Sequence, residues 1–325
     1  MTSPQTFWHR LPKPFFVLAP MADVTDPAFR RIIAKYSKPA GPHVIYTEFV
    51  SADGLALAPE EGRKKLMRDL VFTDAERPIV AQFFTSTPEH MGKAAALAAE
   101  MGFDGIDINM GCPADAIEKQ GAGAKLILNP ERARELVAAA KRGAPDLPVS
   151  VKTRLGYNKD ILEEWLPEIL KAEPVALILH ARTRKEMSLV NAHWDRIKRA
   201  VEIRNELGSK TLIVGNGDVK NVEEARARAA ESGADGVMIG RGVFGTPWLF
   251  TEEQKSPEER LRILVEHTKL YEELLGDIKS FAIMKKHFKA YAEGFDGAKE
   301  LRVKLMECNT AAEVEKVVSN FISAL

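Results

Sequence analysis

The stretch GIDINMGCP at residues 105–113 is followed by PERARELVAAAKRG at 130–143 and VSVKTR at 149–154. Two short apolar runs enclose a segment whose apolar residues recur at helical spacing, which is typical of a strand–helix–strand unit. Parallel strands need a crossover connection of this length because a tight turn cannot join them. The stretch therefore predicts two neighbouring strands of a parallel sheet with a helix between them.

The same unit recurs along the first 250 residues. We predict eight strands, at 16–19, 43–49, 78–84, 105–109, 149–154, 176–180, 211–215 and 237–240. Helices are predicted between most of them, and four end in a glycine suited to a helix C-cap: PEHMGKAAALAAEMG, PERARELVAAAKRG, WDRIKRAVEIRNELG and NVEEARARAAESG. Eight such units predict an α/β fold, a (β/α)8 TIM barrel that ends near residue 248. A doubly wound open sheet is the alternative, disfavoured because no GxGxxG follows the first strand.

Strand signals end near residue 250, and the later segments read at helical period. Ser256, Pro257 and Glu259 form a strong helix start, and Thr310 with Glu313 repeats the capping-box pattern. We therefore expect a barrel domain over residues 1–250 and a small C-terminal helical-bundle domain over residues 251–325.

Composition restricts the class of protein. The 325 residues are 45% hydrophobic and 28% charged with zero formal net charge, so any surface for nucleic acid must be a local patch. There is neither a run long enough to span a bilayer nor a signal-peptide core at the start, so no membrane association is expected. Only Cys112 and Cys308 are present, which argues against a disulfide framework and favours a cytoplasmic location. Nothing in the sequence demands a dimer, and we expect a monomer.

The active site of a barrel enzyme lies at the C-terminal ends of its strands. Polar and reactive residues gather at these ends, which predicts an enzyme: Glu48, Gln82, Asn109, Cys112, Lys152, Arg154, His180, Arg182, Asn216, Asp218 and Arg241. GNGD at 215–218 and GRG at 240–242 follow strands seven and eight, where this fold commonly binds phosphate. Their glycines allow backbone N–H groups to approach an anion, and Arg241 adds a charged donor. The alternative is that these glycines only make tight turns.

Lysine is seldom buried without a partner, so Lys152 at the end of a strand is unusual. A cation there suits the N1/O2 edge of a flavin, where it stabilises the anionic reduced ring. The alternative is a core salt bridge with Glu48 or Asp107. His180 either donates a hydrogen bond to the flavin or is a satisfied core histidine. Gln82 offers a donor and an acceptor, which suits the edge of a flavin or a base.

Cys112 lies in a Met-Gly-Cys-Pro turn directly after a strand, at the catalytic end of the barrel. Neither a CxxC pattern nor a nearby histidine accompanies it, so we predict no metal site. A thiol with an ordinary pKa of about 8.5 is mostly protonated at neutral pH and can act as a general acid. Cys308, in the helical tail, is interpreted as a small buried hydrophobe.

Several motifs together resemble the dihydrouridine synthase family. They are LAPMADVTDPAFR at 18–30, DINMGCPADAIEKQGAGAKL at 107–126, VKTRLG at 151–156, HARTR at 180–184, GADGVMIGRG at 233–242 and KKHFKAYAEGFDGAKELR at 285–302. The match covers nearly the whole chain, and the cysteine motif is quite specific. The resemblance implies that FMN, reloaded by NADPH, reduces the C5=C6 bond of uridine in tRNA, with the D-loop as the expected region. Hydride would pass from flavin N5 to C6, and Cys112 would give the proton to C5.

The resemblance also assigns roles to individual residues. Pro20, Met21 and Ala22 would lie under the flavin, with Gln82, Lys152 and His180 at its edge. The FMN phosphate would bind at Asn216, Gly217, Asp218, Gly240 and Arg241. Residues 251–325 would form a tRNA-binding domain. Candidates for contacting the substrate or gripping RNA phosphate are Asn109, Arg154, Arg182, Arg184, Lys185, Lys285, Lys286, His287 and Lys289.

Other interpretations stay open at this point. Lys285 to Lys289 also fit an ordinary solvated helix face. A flavin barrel that reduces a free pyrimidine would need no helical tail to grip its substrate. A non-redox barrel could use the phosphate site for a sugar or isoprenoid phosphate, and would be colourless. A catalytically inactive RNA-binding scaffold would not need Cys112, Lys152 and His180 together.

Overall fold

The chain folds around a closed barrel of parallel strands. The computed structural model describes residues 6–324, so the outer limits of the two predicted domains, residues 1 and 325, lie outside the described residues. The strands are β1 Phe15–Leu18, β2 Val44–Ser51, β3 Ile79–Phe84, β4 Gly105–Met110, β5 Val149–Arg154, β6 Ala176–His180, β7 Leu212–Asn216 and β8 Gly236–Ile239. Each pairs in parallel with the next, and β8 closes the ring on β1. The predicted (β/α)8 barrel is confirmed, and the doubly wound sheet is excluded.

Helices surround the barrel and continue beyond it. Those of the barrel are α1 Pro27–Ser37, α2 Ala52–Leu57, α3 Glu60–Asp69, α4 Pro88–Glu100, α5 Asp115–Glu118, α6 Pro130–Gly143, α7 Leu162–Leu170, α8 Trp194–Glu206 and α9 Val222–Ser232. Those after it are α10 Pro257–Leu275, α11 Lys285–Tyr291, α12 Ala298–Glu307 and α13 Ala311–Ile322. Between residues 6 and 324, none of them combines the length and apolar character needed to cross a membrane.

One predicted helix end is wrong. Gly102, Gly208 and Gly233 follow α4, α8 and α9 in the left-handed conformation, as predicted. Gly143 instead remains inside α6 as its last residue. A Cβ at this position would lie 2.2 Å from the carbonyl oxygen of Gly92 in α4. Gly143 therefore serves the close packing of α6 on α4, which a local sequence pattern cannot reveal.

The barrel interior changes from apolar to polar along the strands. Side chains such as Phe15, Val17 and Val80 fill the end where the strands begin, and Trp8 packs against Phe15 there. Buried polar side chains occupy the other end, among them Gln82, Asp107, Asn109 and Ser150, and Lys152 is half-buried beside them. Since successive residues of a strand point to opposite faces, pairs such as 107 and 109 both point inward. The polar end of the interior therefore forms the floor of the site described below.

The helices after the barrel share a hydrophobic core of their own, which includes Leu264, Tyr271, Phe288 and Leu305. Ala28 and Ile32 of α1 belong to the same core, so these helices also pack on the barrel. The predicted capping box of Ser256 and Glu259 at the start of α10 is confirmed.

The second predicted capping box, at α13, is only half formed. Thr310 Oγ1 accepts the backbone N–H of Glu313 at 3.2 Å, as expected. The Glu313 carboxylate instead accepts the N–H of Asn309 at 2.6 Å, one residue before the cap.

Candidate active site

A cavity of about 310 Å³ opens at the C-terminal end of the barrel. The predicted residues that line it are Pro20, Met21, Asn109, Cys112, Lys152, Arg154, His180, Arg182, Asn216, Gly217, Asp218, Gly240 and Arg241. Residues separated by more than 200 positions in the sequence thus meet in one place. Two predicted cofactor residues lie outside the lining, since Ala22 is exposed on the loop after β1 and Gln82 is fully buried. Phe49, Ser188 and Met238 also line the cavity and were not predicted.

The loop that carries Cys112 is fixed by backbone hydrogen bonds. Asn109 Oδ1 accepts the N–H groups of Gly111 at 3.1 Å and of Cys112 at 2.9 Å. The carbonyl oxygen of Cys112 accepts the N–H of Ala124 at 2.9 Å, and Arg154 Nε donates to the Gly111 carbonyl at 2.7 Å. The thiol is therefore presented to the cavity by a loop held from three sides.

A chain of buried hydrogen bonds supports this loop from inside the barrel. Asn109 Nδ2 donates to Gln82 Oε1 at 3.1 Å, and Gln82 Nε2 donates to Asp107 Oδ2 at 2.7 Å. Ser150 Oγ donates to Asp107 Oδ1 at 2.6 Å and lies 3.1 Å from the hydroxyl of Tyr46. Burial raises the pKa of Asp107 to about 7 despite these two donors. Gln82 thus uses its amide beneath the cavity, where it positions Asn109.

The buried hydrogen-bond chain contains three residues that were not predicted from the sequence as parts of the site: Asp107, Ser150 and Tyr46. A usable signal existed for two of them. The alternation of a strand places 107 beside 109 and 150 beside 152 on the inward face. A pair of inward polar residues on each of two adjacent strands indicates a hydrogen-bonded interior, because buried polar groups are rarely left unpaired.

The thiol of Cys112 is suited to remain protonated. Burial raises its pKa, and this effect outweighs the lowering by the Ala114 backbone and by the cations of Arg154 and Lys152. No histidine hydrogen-bonds the thiol among residues 6–324. A nucleophilic cysteine needs a lowered pKa, whereas a proton donor does not. The environment of Cys112 therefore favours general-acid chemistry.

Lys152 is half-buried at the floor of the cavity and has no carboxylate partner among the described residues. Its Nζ donates to Asn216 Oδ1 at 3.1 Å, and Asn216 Nδ2 in turn donates to the Met238 carbonyl at 2.9 Å. The alternative of a salt bridge with Glu48 or Asp107 is not realised. Burial, assisted by Arg154, lowers the pKa of Lys152 to about 8. An ammonium with donors left over in a cavity is a binding element for an electron-rich or anionic group.

His180 is neutral in this surrounding. Burial and then the nearby cations, Lys152 first, hold its pKa well below the usual range. Its Nε2 lies 3.3 Å from a guanidinium nitrogen of Arg182, which can only donate. Nε2 therefore accepts, and the ring proton resides on Nδ1. Because His180 lines the cavity, it is more than a satisfied core histidine.

The loops after β7 and β8 form a cradle of free N–H groups. The backbone N–H groups of Gly217, Asp218, Gly240 and Arg241 make no hydrogen bond within the described part of the chain. Gly217 has a φ of 136°, and a Cβ there would lie 2.8 Å from Ala192 Cβ. Unpaired amides gathered at one end of a cavity are the donors that bind phosphate.

Charged side chains surround this cradle. The Asp218 carboxylate accepts the N–H of Ala192 at 2.9 Å, pairs with buried Arg182, and lies 2.9 Å from Arg241. Arg241 is 69% exposed, so its guanidinium is free to turn toward an anion. Burial acts to raise the pKa of Asp218, but the Ala192 N–H and then the cations of Arg182 and Arg241 hold it below its usual value.

The predicted RNA-contacting residues lie in different environments. Arg154 is buried and bonds the Gly111 carbonyl, and Arg184 Nε donates to Glu118 Oε1 at 2.8 Å. On α11, Lys286 and Lys289 are exposed and Lys285 is half-buried.

The expectation that His287 grips phosphate is wrong, because its ring is fully buried. It packs 5.3 Å from Phe244 and 4.7 Å from His267, measured between ring centroids. The 3.6-residue period of the helix turns His287 and Phe288 toward the core while Lys286 and Lys289 face outward.

Among residues 6–324, no group of three or more His, Cys, Asp and Glu side chains is arranged to hold a metal ion. The groups that line the cavity are mostly nitrogen cations and amides, with one thiol and the Asp218 carboxylate, which is paired with two arginines. This set suits an organic anion better than a divalent cation.

Solved structures share the barrel at low sequence identity. Histamine dehydrogenase from Rhizobium sp. 4-9 matches with a TM-score of 0.54 and 14% identity, over 78% of this chain and 48% of that chain. A morphinone reductase variant in complex with tetrahydroNAD matches with a TM-score of 0.51 and 13% identity, over 73% of this chain and 86% of that chain. At this identity the likeness concerns the fold alone.

Sequence comparison goes further. The family model described as dihydrouridine synthase (Dus) matches residues 17–325. A protein of Staphylococcus epidermidis named probable tRNA-dihydrouridine synthase is 41% identical over 98% of this chain and 96% of its own length. A protein of Bacillus subtilis named probable tRNA-dihydrouridine synthase 2 is 41% identical over 98% of this chain and 97% of its own. The chain therefore belongs to the dihydrouridine synthase family.

Proposed function

We propose that this protein is an FMN- and NADPH-dependent tRNA-dihydrouridine synthase that reduces the C5=C6 bond of uridine. The single observation that carries the proposal is the shared cavity, in which the Cys112 thiol, the Lys152 ammonium and the unpaired amides after β7 and β8 face one space. The relatives described above are named for the same reaction on tRNA.

The cavity fits FMN at both of its ends. The free N–H groups of Gly217, Asp218, Gly240 and Arg241 match the acceptor oxygens of a phosphate. Lys152 and the Nδ1–H of His180 are donors for the electron-rich edge of the isoalloxazine ring. Pro20 and Met21 supply an apolar part of the cavity wall. These residues would hold FMN, which, once reduced by NADPH, would supply the hydride for C6 of the uracil.

Cys112 completes the reduction. Hydride addition at C6 leaves negative charge on the uracil that is quenched by a proton at C5. The buried Cys112 thiol is protonated at neutral pH and gives that proton as a general acid. Asn109 fixes the backbone of Cys112, while Lys152 and His180 act at the flavin ring. The donor is thus a single side chain held by its loop.

A uridine within folded tRNA reaches this cavity only when it is turned out of its stack, which costs least in a loop such as the D-loop. We propose that the helices of residues 251–325 form the tRNA-binding domain that holds the RNA during this step. Lys286 and Lys289 of α11 are its exposed cations, and Lys285 is half-buried beside them. Exposed cations of this kind bind phosphate without reading sequence.

The experiment is a direct assay. Purified protein with FMN and NADPH is added to tRNA transcribed without modification, and dihydrouridine is quantified. We expect product with tRNA and none with free uridine. Product from free uridine at a comparable rate would show a free-pyrimidine reductase. Absence of flavin binding would overturn the cofactor assignment.

A further inference from the structure

A buried ion cluster joins the helical tail to the loop after β1. Glu48 lies where the register between β2 and β3 shifts, between Tyr46 and Phe49. One of its carboxylate oxygens accepts the backbone N–H of Asp23, and the other lies 3.0 Å from Lys279 Nζ. Lys279 follows α10 and lies 2.7 Å from Asp69 as well. The tail therefore contributes one cation to a cluster whose other members belong to the barrel.

Lys279 is the counter-ion of a carboxylate that is largely shielded from water. The side chains of Glu48 and Lys279 are 7% and 17% exposed. Burial, and then repulsion from Asp69, raises the pKa of Glu48 to about 7. Glu48 and Asp69 in turn hold the pKa of Lys279 above its usual value although burial acts against this. Removing one partner of a buried pair leaves an uncompensated charge, which is strongly destabilising for that contact.

A second contact between tail and loop is weaker. Lys286 Nζ lies 3.4 Å from Asp23 Oδ2, and the two side chains are 46% and 53% exposed. Exposed pairs of this kind contribute little because water and salt screen them. Of these two ionic links between the tail and the loop, the one that runs from Lys279 through Glu48 is therefore the stronger.

The loop held in this way carries part of the cavity wall. Asp23 has a φ of 53°, a conformation that side chains adopt only when their surroundings hold it. Two residues earlier, Met21 donates its N–H to Thr25 Oγ1 at 2.9 Å, which closes the same turn. A Cβ at Gly240 would lie 3.5 Å from Met21 Sδ, so Met21 adjoins the anion cradle. A shift at Asp23 is thus transmitted to a residue that lines the cavity.

We propose that Lys279 is a positioning residue for the cofactor site, acting through Glu48 and Asp23 to hold Pro20 and Met21 in place. The inference rests on the proposed function, because it assumes that FMN is the ligand that contacts Pro20 and Met21. It makes the docking of the tail a requirement for tight cofactor binding, in addition to any contact of the tail with RNA.

The test compares FMN dissociation constants, measured by flavin fluorescence, after bound flavin has been removed. We expect Lys279→Met to raise the FMN dissociation constant about tenfold, a change that lies within the range of coupling energies between contacting residues. Lys279→Arg should recover most of the affinity because it keeps the charge. The matched control is Lys269→Met, which removes an exposed ion pair with Glu315 from α10 of the same tail. A purely structural role would lower the melting temperature and leave the constant of the folded protein unchanged.

A double variant tests whether the effect of Lys279 on FMN binding is transmitted through Glu48. If Lys279 acts through Glu48, Glu48→Gln combined with Lys279→Met should weaken FMN binding no more than Lys279→Met alone. Additive losses, or a constant for Lys279→Met within twofold of the wild type, would overturn the proposal. If Lys279→Met does not fold, Glu48→Gln alone tests the same contact, and unchanged affinity in that variant refutes it.

Hydrogen exchange separates this inference from the proposed function. In flavin-free protein, the peptide that contains the Asp23 amide should exchange faster in Lys279→Met than in Lys269→Met. A wild type that binds no FMN but shows this difference would refute the cofactor assignment and leave the positioning contact intact. Equal exchange in the two variants would refute the positioning contact itself.

Discussion

Asn109 Oδ1 lies 2.9 Å from the backbone nitrogen of Cys112 and accepts its hydrogen bond. This contact connects the reactive loop to the polar interior of the barrel, because the same side chain also donates to Gln82. The position of the thiol therefore depends in part on Gln82, which lies beneath the cavity and outside its lining.

Gln82→Leu should disturb the thiol loop from below. The substitution leaves Asp107 Oδ2 without its donor and Asn109 Nδ2 without its acceptor, and an unsatisfied buried group costs about 1–3 kcal/mol. We expect the free energy of unfolding to fall by about that amount and turnover to fall by about tenfold or more, since small misplacements of a reacting group are costly. Urea unfolding and the dihydrouridine assay measure both effects. The exposed control Gln254→Leu should change neither, and equal turnover in the two variants would show that the interior chain is dispensable.

The rate of dihydrouridine formation should fall at alkaline pH, because Lys152 loses its proton there. Its pKa of about 8 in the folded protein means that the ammonium is present below this pH and lost above it. We expect dihydrouridine formation to decline above about pH 8 in the wild type. Lys152→Arg, whose side chain stays charged, should move the decline to higher pH. The exposed control Lys220→Met should retain the wild-type profile. A decline that is unchanged in Lys152→Arg would assign it to another group.

The free energy of unfolding should also depend on the protonation of Lys152, but it should rise with pH where activity falls. Because the pKa of Lys152 is lower in the folded than in the unfolded chain, the unfolded chain binds more protons between about pH 8 and 10.5. The contribution of Lys152 to the free energy of unfolding therefore rises across this window. Urea unfolding of Lys152→Met should lack that rise.

Gly217→Ala should separate phosphate binding from ring binding. A methyl group there would meet Ala192 at 2.8 Å and distort the cradle of N–H groups. Overpacking of this kind costs about 1–3 kcal/mol, so FMN should bind roughly tenfold or more weakly. The affinity for riboflavin, which lacks the phosphate, should change much less. Gly208→Ala is the matched control, since Gly208 is also left-handed but has nothing within 4 Å. A parallel loss of FMN and riboflavin affinity would place the phosphate elsewhere.

His287 should make the protein sensitive to acid. Burial lowers its pKa from 6.5 to about 3, so between these values the unfolded chain binds a proton that the folded chain excludes. Stability is then lost as the pH falls below 6.5, by about 2 kcal/mol between pH 7 and pH 5 from this group. His287→Phe should reduce that loss, as judged by urea unfolding at the two pH values. The exposed control His9→Gln should keep it, and an unchanged loss in His287→Phe would point to other groups.

Much of the fold followed from local patterns. Each β-branched run became a strand because its side chains fill either the barrel interior or the layer beneath the helices. The ends of the strands located the cavity, since parallel strands bring their C-terminal ends to one side. Cys112, Lys152 and His180 were predicted in this way and line one cavity.

Other features depend on contacts between distant elements, which no local pattern contains. Gly143 packs against Gly92 rather than ending a helix with a left-handed residue. His287 stands in a basic segment but faces inward, because helical phase and not composition decides its exposure. The link from Lys279 to Glu48 spans 231 positions and joins two parts of the chain.

The assignment of Cys112 as proton donor is tested most directly by anaerobic stopped-flow of the flavin-reduced protein mixed with unmodified tRNA. We expect the wild type and Cys308→Ala to reoxidise their flavin as dihydrouridine forms. Cys112→Ala should bind flavin with the same affinity and accept electrons from NADPH, yet reoxidise at least a hundredfold more slowly, in line with the loss of a general acid. Reoxidation of Cys112→Ala at the wild-type rate, with dihydrouridine formed, would contradict the assignment.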